Sequence, residues 1–267
     1  MVRKPAVSGQ FYPKTSKGIK DFISQWVSSS PVKVSAKGVI LPHAGYIYSG
    51  KVAVVTCARI LPRKRVVILG PNHTGLGVEF SIYPKGLWEI PQGNVEIDEE
   101  LAQEILREGN FIEEDFLAHK FEHSIEVELP ILKYFFNEFK FVPIICATAS
   151  LDTYRKVAQQ IYRGIKEKKE EILIVASSDM THYEEDAQAR KKDSLAIEAI
   201  INLDEVELLQ RIRKENISMC GAAPVSIMLI LTKLLGAKKV EVVSYQTSGE
   251  VSGDYSAVVG YLGALII

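Results

Sequence analysis

Val66-Val-Ile-Leu-Gly-Pro-Asn72-His73-Thr-Gly75 is a run of four apolar residues that passes without a break into proline, asparagine, histidine and glycine. Four to eight β-branched or large apolar residues bounded by turn formers read as a strand, and a run with no polar alternation reads as one covered on both faces. The same design recurs twice. Val39-Ile-Leu-Pro-His43-Ala-Gly-Tyr-Ile-Tyr48 lies upstream, and Ile172-Leu-Ile-Val-Ala-Ser-Ser-Asp179-Met-Thr-His182-Tyr183 lies downstream. Each segment is expected to set a histidine just beyond the carboxyl end of a buried strand, the edge at which open α/β sheets bind ligands.

Around these segments the pattern alternates strand and helix. Strands are expected at Gly38–Leu41, Arg65–Gly70, Phe141–Cys146, Glu171–Ala176 and Val240–Tyr245. A last strand is expected at Val258–Ile267, weakened by Gly260 and Gly263. Helical spacing covers Lys51–Leu61, Glu99–Glu108, Ser124–Phe136, Thr153–Lys168, Asp186–Asn202, Glu205–Glu215 and Ala222–Leu235. Phe80–Ile97 is irregular and reads as a hairpin or an excursion over the sheet edge. This alternation predicts an α/β fold with a central, mostly parallel sheet flanked by helices. With no repeat and no linker-like tract, residues 1–267 read as a single domain.

Composition narrows the function. The 267 residues carry 32 Lys+Arg against 33 Asp+Glu, a formal charge of −1, which disfavours a nucleic-acid partner. The most lipid-like stretch, Ala222–Leu235, is interrupted by Pro224 and Lys233 and falls short of the roughly 20 apolar residues of a membrane span. Three cysteines without a CxxC pair imply a reducing, cytoplasmic setting rather than a disulfide framework. No GxxxxGK[ST] or strand-following GxGxxG is present, so nucleotide binding is disfavoured.

A histidine after one strand is ordinarily a satisfied polar residue. Three of the chain's five at matching strand ends argue instead for one crevice shared by His43, His73 and His182. His119-Lys-Phe-Glu122-His123 has the H-x-x-E-H form of some zinc hydrolases. It lacks a helical stripe, so His123 is better placed near a helix start as a wall of the crevice, and His119 in an exposed loop. Cys57 and Cys146 fall in apolar runs and read as core. Cys220 precedes a helix, whose positive N-terminal end favours a reactive or ligating thiolate.

Taken together, Arg3–Pro13, Pro42–Gly50, Gly70–Gly75, Glu122–Pro130, Ser177–His182, Met219–Pro224 and Ser248–Tyr255 resemble, in content and order, the segments of the Memo family. In prokaryotes that family is called AmmeMemoRadiSam system protein B. The resemblance implies a fold related to the class III, LigB-type extradiol dioxygenases, which hold Fe(II) on two histidines and a carboxylate. Carried over, His43 and His73 are the imidazole ligands and Cys220 takes the carboxylate position, while His182, Asp179 and His123 supply acid/base groups. Asp179 is expected to hold the second ring nitrogen of His182. A thiolate in that position moves metal preference towards copper(I) or zinc without excluding iron, and argues against catechol cleavage; the expected ion is iron or copper, with zinc as a further option. A redox-related metal-binding protein acting on a small molecule, with a functional link to a radical-SAM protein, is therefore expected. The alternative is a non-catalytic module that binds a peptide in the same cleft, with Tyr46, Tyr48 and Tyr183 as its aromatic contacts.

Overall fold

The apolar runs of the sequence become the interior strands of a sheet, and their alternate side chains feed two separate cores. In the computed structural model, which describes residues 1–27, 31–168 and 171–267, the first half contains β1 (Val2–Arg3), α1 (Ser16–Ser24), β2 (Gly38–Leu41), α2 (Tyr46–Cys57), β3 (Arg65–Pro71), β4 (Phe80–Ile82), β5 (Leu87–Ile90), β6 (Gly93–Ile97), α3 (Glu99–Arg107), β7 (Glu113–Glu114) and α4 (Glu128–Phe136). The second half contains β8 (Lys140–Cys146), α5 (Leu151–Ile165), β9 (Ile172–Ser177), β10 (Asp179–Glu184), α6 (Asp186–Ile201), α7 (Glu205–Lys214), α8 (Ala222–Leu234), β11 (Val240–Thr247), α9 (Gly249–Ser252) and β12 (Val258–Ile266).

The sheet path runs β1-β5-β6-β8-β3-β9-β2-β12-β10, with β11 on β12 and β4 and β7 beside β8. Strands β6, β8, β3, β9 and β2 are mutually parallel, and β12 closes that block in the antiparallel sense. The expected mostly parallel α/β sheet is therefore present, with an antiparallel margin at each side. Val67 and Leu69 of β3 enter one core with α3, α5 and α8, while Val66 and Ile68 enter the other with α1, α2 and α4. That two-residue alternation explains why the sequence of β3 shows no polar face.

Boundaries differ where side-chain chemistry overrides hydrophobic pattern. Helix α2 begins at Tyr46, five residues before the expected start, directly after Gly45. Helix α1, absent from the sequence expectation, is capped by Thr15, whose side chain accepts from the Gly18 N–H. Helix α4 starts at Glu128 and not at Ser124: the Glu122 carboxylate takes the N–H groups of His123 and Ser124, and residues 124–127 form turns. The irregular Phe80–Ile97 segment resolves into β4 and the β5–β6 hairpin.

The last strand forms in spite of its two glycines, and the glycines explain its neighbours. A Cβ on Gly263 would lie 2.0 Å from Thr56 Oγ1 of α2, and one on Gly260 would lie 1.9 Å from Asp193 Oδ2 of α6. Helices thus approach β12 where it has no side chain. Gly263→Ala should destabilise the protein by about 1–3 kcal/mol, the usual effect of overpacking. A urea midpoint lowered at unchanged m-value would show it, and an unshifted midpoint would refute it.

Candidate metal centre

The turns leaving β2 and β3 lie on either side of β9, since both strands pair with it in parallel. His43 follows β2 by two residues and His73 follows β3 by two, so sheet order alone brings them to one edge. Their ring centroids are 5.1 Å apart. His123, from the bend before α4, stacks on His73 at 4.6 Å and stands edge-on to His43 at 5.4 Å. One donor atom from each of His43, His73 and His123 lies within 4.8 Å of the others.

The rings of His43 and His73 are held through Nδ1. His43 Nδ1 is 2.7 Å from Ser177 Oγ, and its main-chain N–H donates to Asp179 Oδ1 at 2.9 Å. His73 Nδ1 is 2.9 Å from Glu122 Oε1, and the His73 N–H donates to Glu122 Oε2 at 2.7 Å. His123 Nδ1 lies 3.4 Å from Glu122 Oε1. Such outer partners fix ring orientation and leave Nε2 to serve as a ligand. Burial, then the neighbouring imidazoles, lowers the pKa of His43. Burial likewise lowers that of His123. Neutral rings are the form that binds metal.

Cys220 corrects the expected ligand set. The mutually close donors are the three histidines, and the sulfur does not join them. Its Sγ lies 3.3 Å from His43 Nε2 and accepts from the Asp179 N–H at 3.2 Å. The helix-terminus argument for a thiolate also fails. Burial, then the Asp179 carboxylate, pushes the thiol pKa up, outweighing the partial charge of the α8 N-terminus. The close fit of this loop is set by Gly221, where a Cβ would fall 2.3 Å from Ser178 Cβ.

His182 is not on a strand-end turn. It sits within β10, paired with Val259 of β12, and its Nδ1 meets the Ser218 carbonyl at 2.8 Å. Asp179 therefore does not hold the ring of His182. It holds the backbone of His43. His119, expected in an exposed loop, is fully buried with Nε2 3.1 Å from the Ser81 carbonyl. Residues 119–123 form no helix, so the H-x-x-E-H string does not set its two imidazoles over one ion. Tyr46 is core, its hydroxyl bonded to the Val127 carbonyl, whereas Tyr48 and Tyr183 are exposed. Cys57 and Cys146 are buried as expected.

Sequence reasoning missed the groups that hold the imidazoles, Ser177 and Glu122. Glu122 was visible as part of the H-x-x-E-H string and of the Glu122–Pro130 segment, without a role of its own. Its actual role is to accept from the N–H groups of His73, His123 and Ser124. Burial opposes its ionisation, yet His73 and those N–H groups outweigh burial and hold its pKa well below the usual carboxylate range.

A family model described as Memo-like protein matches residues 3–265. The chain belongs to that family. A MEMO1 family protein of Aquifex aeolicus is 43% identical over 268 residues, covering 100% of this chain and 99% of its own. One of Methanopyrus kandleri is 42% identical over 276 residues, covering 98% and 97%. One of Methanobrevibacter smithii is 39% identical over 280 residues, covering 99% of each. In fold, the Memo-like chain is similar to an uncharacterized protein, JW3007, of Escherichia coli K12, with a TM-score of 0.53 at 11% identity over 85% of this chain and 98% of that one. Among the described residues, no helix is long and apolar enough to cross a membrane.

Asp179 yields a pH prediction. Burial raises its pKa from 3.8 to about 7, against the opposing N–H bonds of His43 and Ala44. The folded protein thus holds this proton more tightly than the unfolded chain does. The resulting stability is full below about pH 4 and is lost as pH rises through about 7. Asp179→Asn should therefore lose less stability than the parent across that window, by at most about 4 kcal/mol. Urea unfolding at several pH values measures it, and parallel pH profiles for the two proteins would contradict it.

Proposed function

We propose that this Memo-family chain binds one metal ion on His43, His73 and His123. The observation that carries this reading is the approach of three imidazole donors to within 4.8 Å at the carboxyl edge of the parallel strands. The donor chemistry fits. Imidazole suits iron, copper and zinc. Bound iron or copper would supply redox chemistry, and this is the sense in which a distant kinship with LigB-type dioxygenases is proposed.

The chain's own residues would prepare that chemistry. Ser177 and Glu122 orient His43 and His73 from behind. His182, half-buried with Nδ1 on the Ser218 carbonyl, would move a proton to or from a small-molecule substrate. A functional link to a radical-SAM protein, a cytoplasmic location and the reading of residues 1–267 as one domain belong to the same proposal. A second reading, peptide binding without turnover, is favoured by Tyr183, which is 79% exposed beside His182.

Anaerobic titration with Fe(II), Cu(I) or Zn(II) should give about one ion per chain. His43→Ala, His73→Ala and His123→Ala should each weaken binding at least about tenfold, the lower end of what even an outer partner contributes. Parental affinity in all three variants would refute the site.

A further inference from the structure

Behind His43, on its Nδ1 side, lies a buried hydrogen-bond junction that the metal reading does not use. Ser177 Oγ sits 2.7 Å from His43 Nδ1, 2.7 Å from the main-chain oxygen of Ser124 and 2.9 Å from Glu128 Oε1. Ser177 and Glu128 are both fully buried, and Glu128 Oε2 has no partner among the described residues.

Counting donors decides the protonation. A serine hydroxyl has one proton to give and two lone pairs to accept with, and a peptide carbonyl can only accept. The Ser124 carbonyl therefore takes the hydroxyl proton. Both remaining lone pairs of Ser177 must then receive protons, one from His43 Nδ1 and one from Glu128 Oε1. The opposite arrangement, with Ser177 donating to a Glu128 carboxylate, strips the Ser124 carbonyl of its donor. It also leaves an anion in the core with one hydrogen bond and one bare oxygen, which is far costlier than a bare oxygen on a neutral acid.

We propose that Glu128 is kept as a carboxylic acid and, through Ser177, locks His43 in its Nδ1–H tautomer, so that the Nε2 lone pair faces the site. The electrostatic surroundings agree. Burial raises the Glu128 pKa well above its ordinary value, the Ser177 bond opposes this, and Asp179 of β10 adds to it. The other titratable groups that feel Glu128 are Tyr46 and Cys57 of α2, and none of the three is a cation that would favour the carboxylate. On the Nε2 side, Cys220 Sγ lies 3.3 Å away, within reach of the lone pair that this tautomer presents. Glu128 and Ser177 are thus positioning residues, and their role holds whether or not an ion binds.

Two spectra of the full-length protein, kept in chelator at neutral pH, test this. With ¹³C-labelled glutamate, infrared spectra should contain a protonated-acid carbonyl band that is absent in Glu128→Gln. The glutamate label excludes any contribution from Asp179. Long-range ¹H–¹⁵N spectra of ¹⁵N-histidine protein, with His43 assigned by its loss in His43→Ala, should show the Nδ1–H tautomer. Glu128→Gln should retain that tautomer, because the amide N–H donates to Ser177 as the acid does. Ser177→Ala should shift His43 to a mixture. Absence of the acid band in the parent, an Nε2–H ring in the parent, or an unchanged tautomer in Ser177→Ala would each overturn the proposal. Metal affinity enters neither spectrum, so failure here is distinguishable from failure of the metal site.

Discussion

One buried carboxylate organises this site. Glu122 is almost fully buried, yet its two oxygens receive the N–H groups of His73, His123 and Ser124 together with the His73 ring. A buried anion is tolerated only when hydrogen bonds replace the water it has lost. Here those bonds come from two chain segments far apart in sequence, the turn after β3 and the bend before α4. The requirement to satisfy Glu122 therefore also stacks His73 on His123. Placing the imidazoles and stabilising the carboxylate are a single event.

The next turn of chain repeats the device with a different purpose. Glu126 accepts from Arg3 at 2.6 Å, from the N–H groups of Ala6 and Val7, and from the Tyr12 hydroxyl. Arg3 in turn donates to the main-chain oxygens of His119 and Glu122. The amino-terminal segment is thereby clamped to the bend that carries His123. A buried pair of this kind adds little net stability over an apolar pair, but breaking one partner is costly, which makes it a fixer of geometry. It also occupies the Glu122 carbonyl, which accepts from Arg3.

The interior strands β2, β3, β8 and β9 were legible in the sequence because they are short runs apolar on both faces. Helices with capping residues or a clean stripe, such as α3, α5 and α7, fell within a few residues of expectation. His43 and His73 were placed by the same logic, since a strand end is a position in space once the sheet order is known. His182 was misplaced because the chain turns back after Ser177 to form β10, and a strand half-exposed at the margin has no distinctive pattern. His119 was misread because Trp88 and Tyr83, which enclose it, are distant in sequence. Ser177 and Glu128 lay inside the Ser177–His182 and Glu122–Pro130 segments but without a role assigned, as a buried serine and a buried glutamate look like surface residues until their partners are known.

The tension between burial and charge accounts for the rest of the arrangement. Three imidazoles packed this closely cannot all be protonated, and burial already lowers the pKa values of His43 and His123. The fold then uses Nδ1 as the structural end of each ring, towards Ser177 or Glu122, and leaves Nε2 as the chemical end. Cys220 Sγ lies 3.3 Å from His43 Nε2, and burial raises the pKa of its thiol. His43, His73 and His123 thus bring three imidazole donors together, while the negative charge of Glu122 lies against the Nδ1 sides of His73 and His123. A cation is the occupant that such a surface favours, because an anion or a bare apolar ligand would leave the lone pairs of His43, His73 and His123 without a partner.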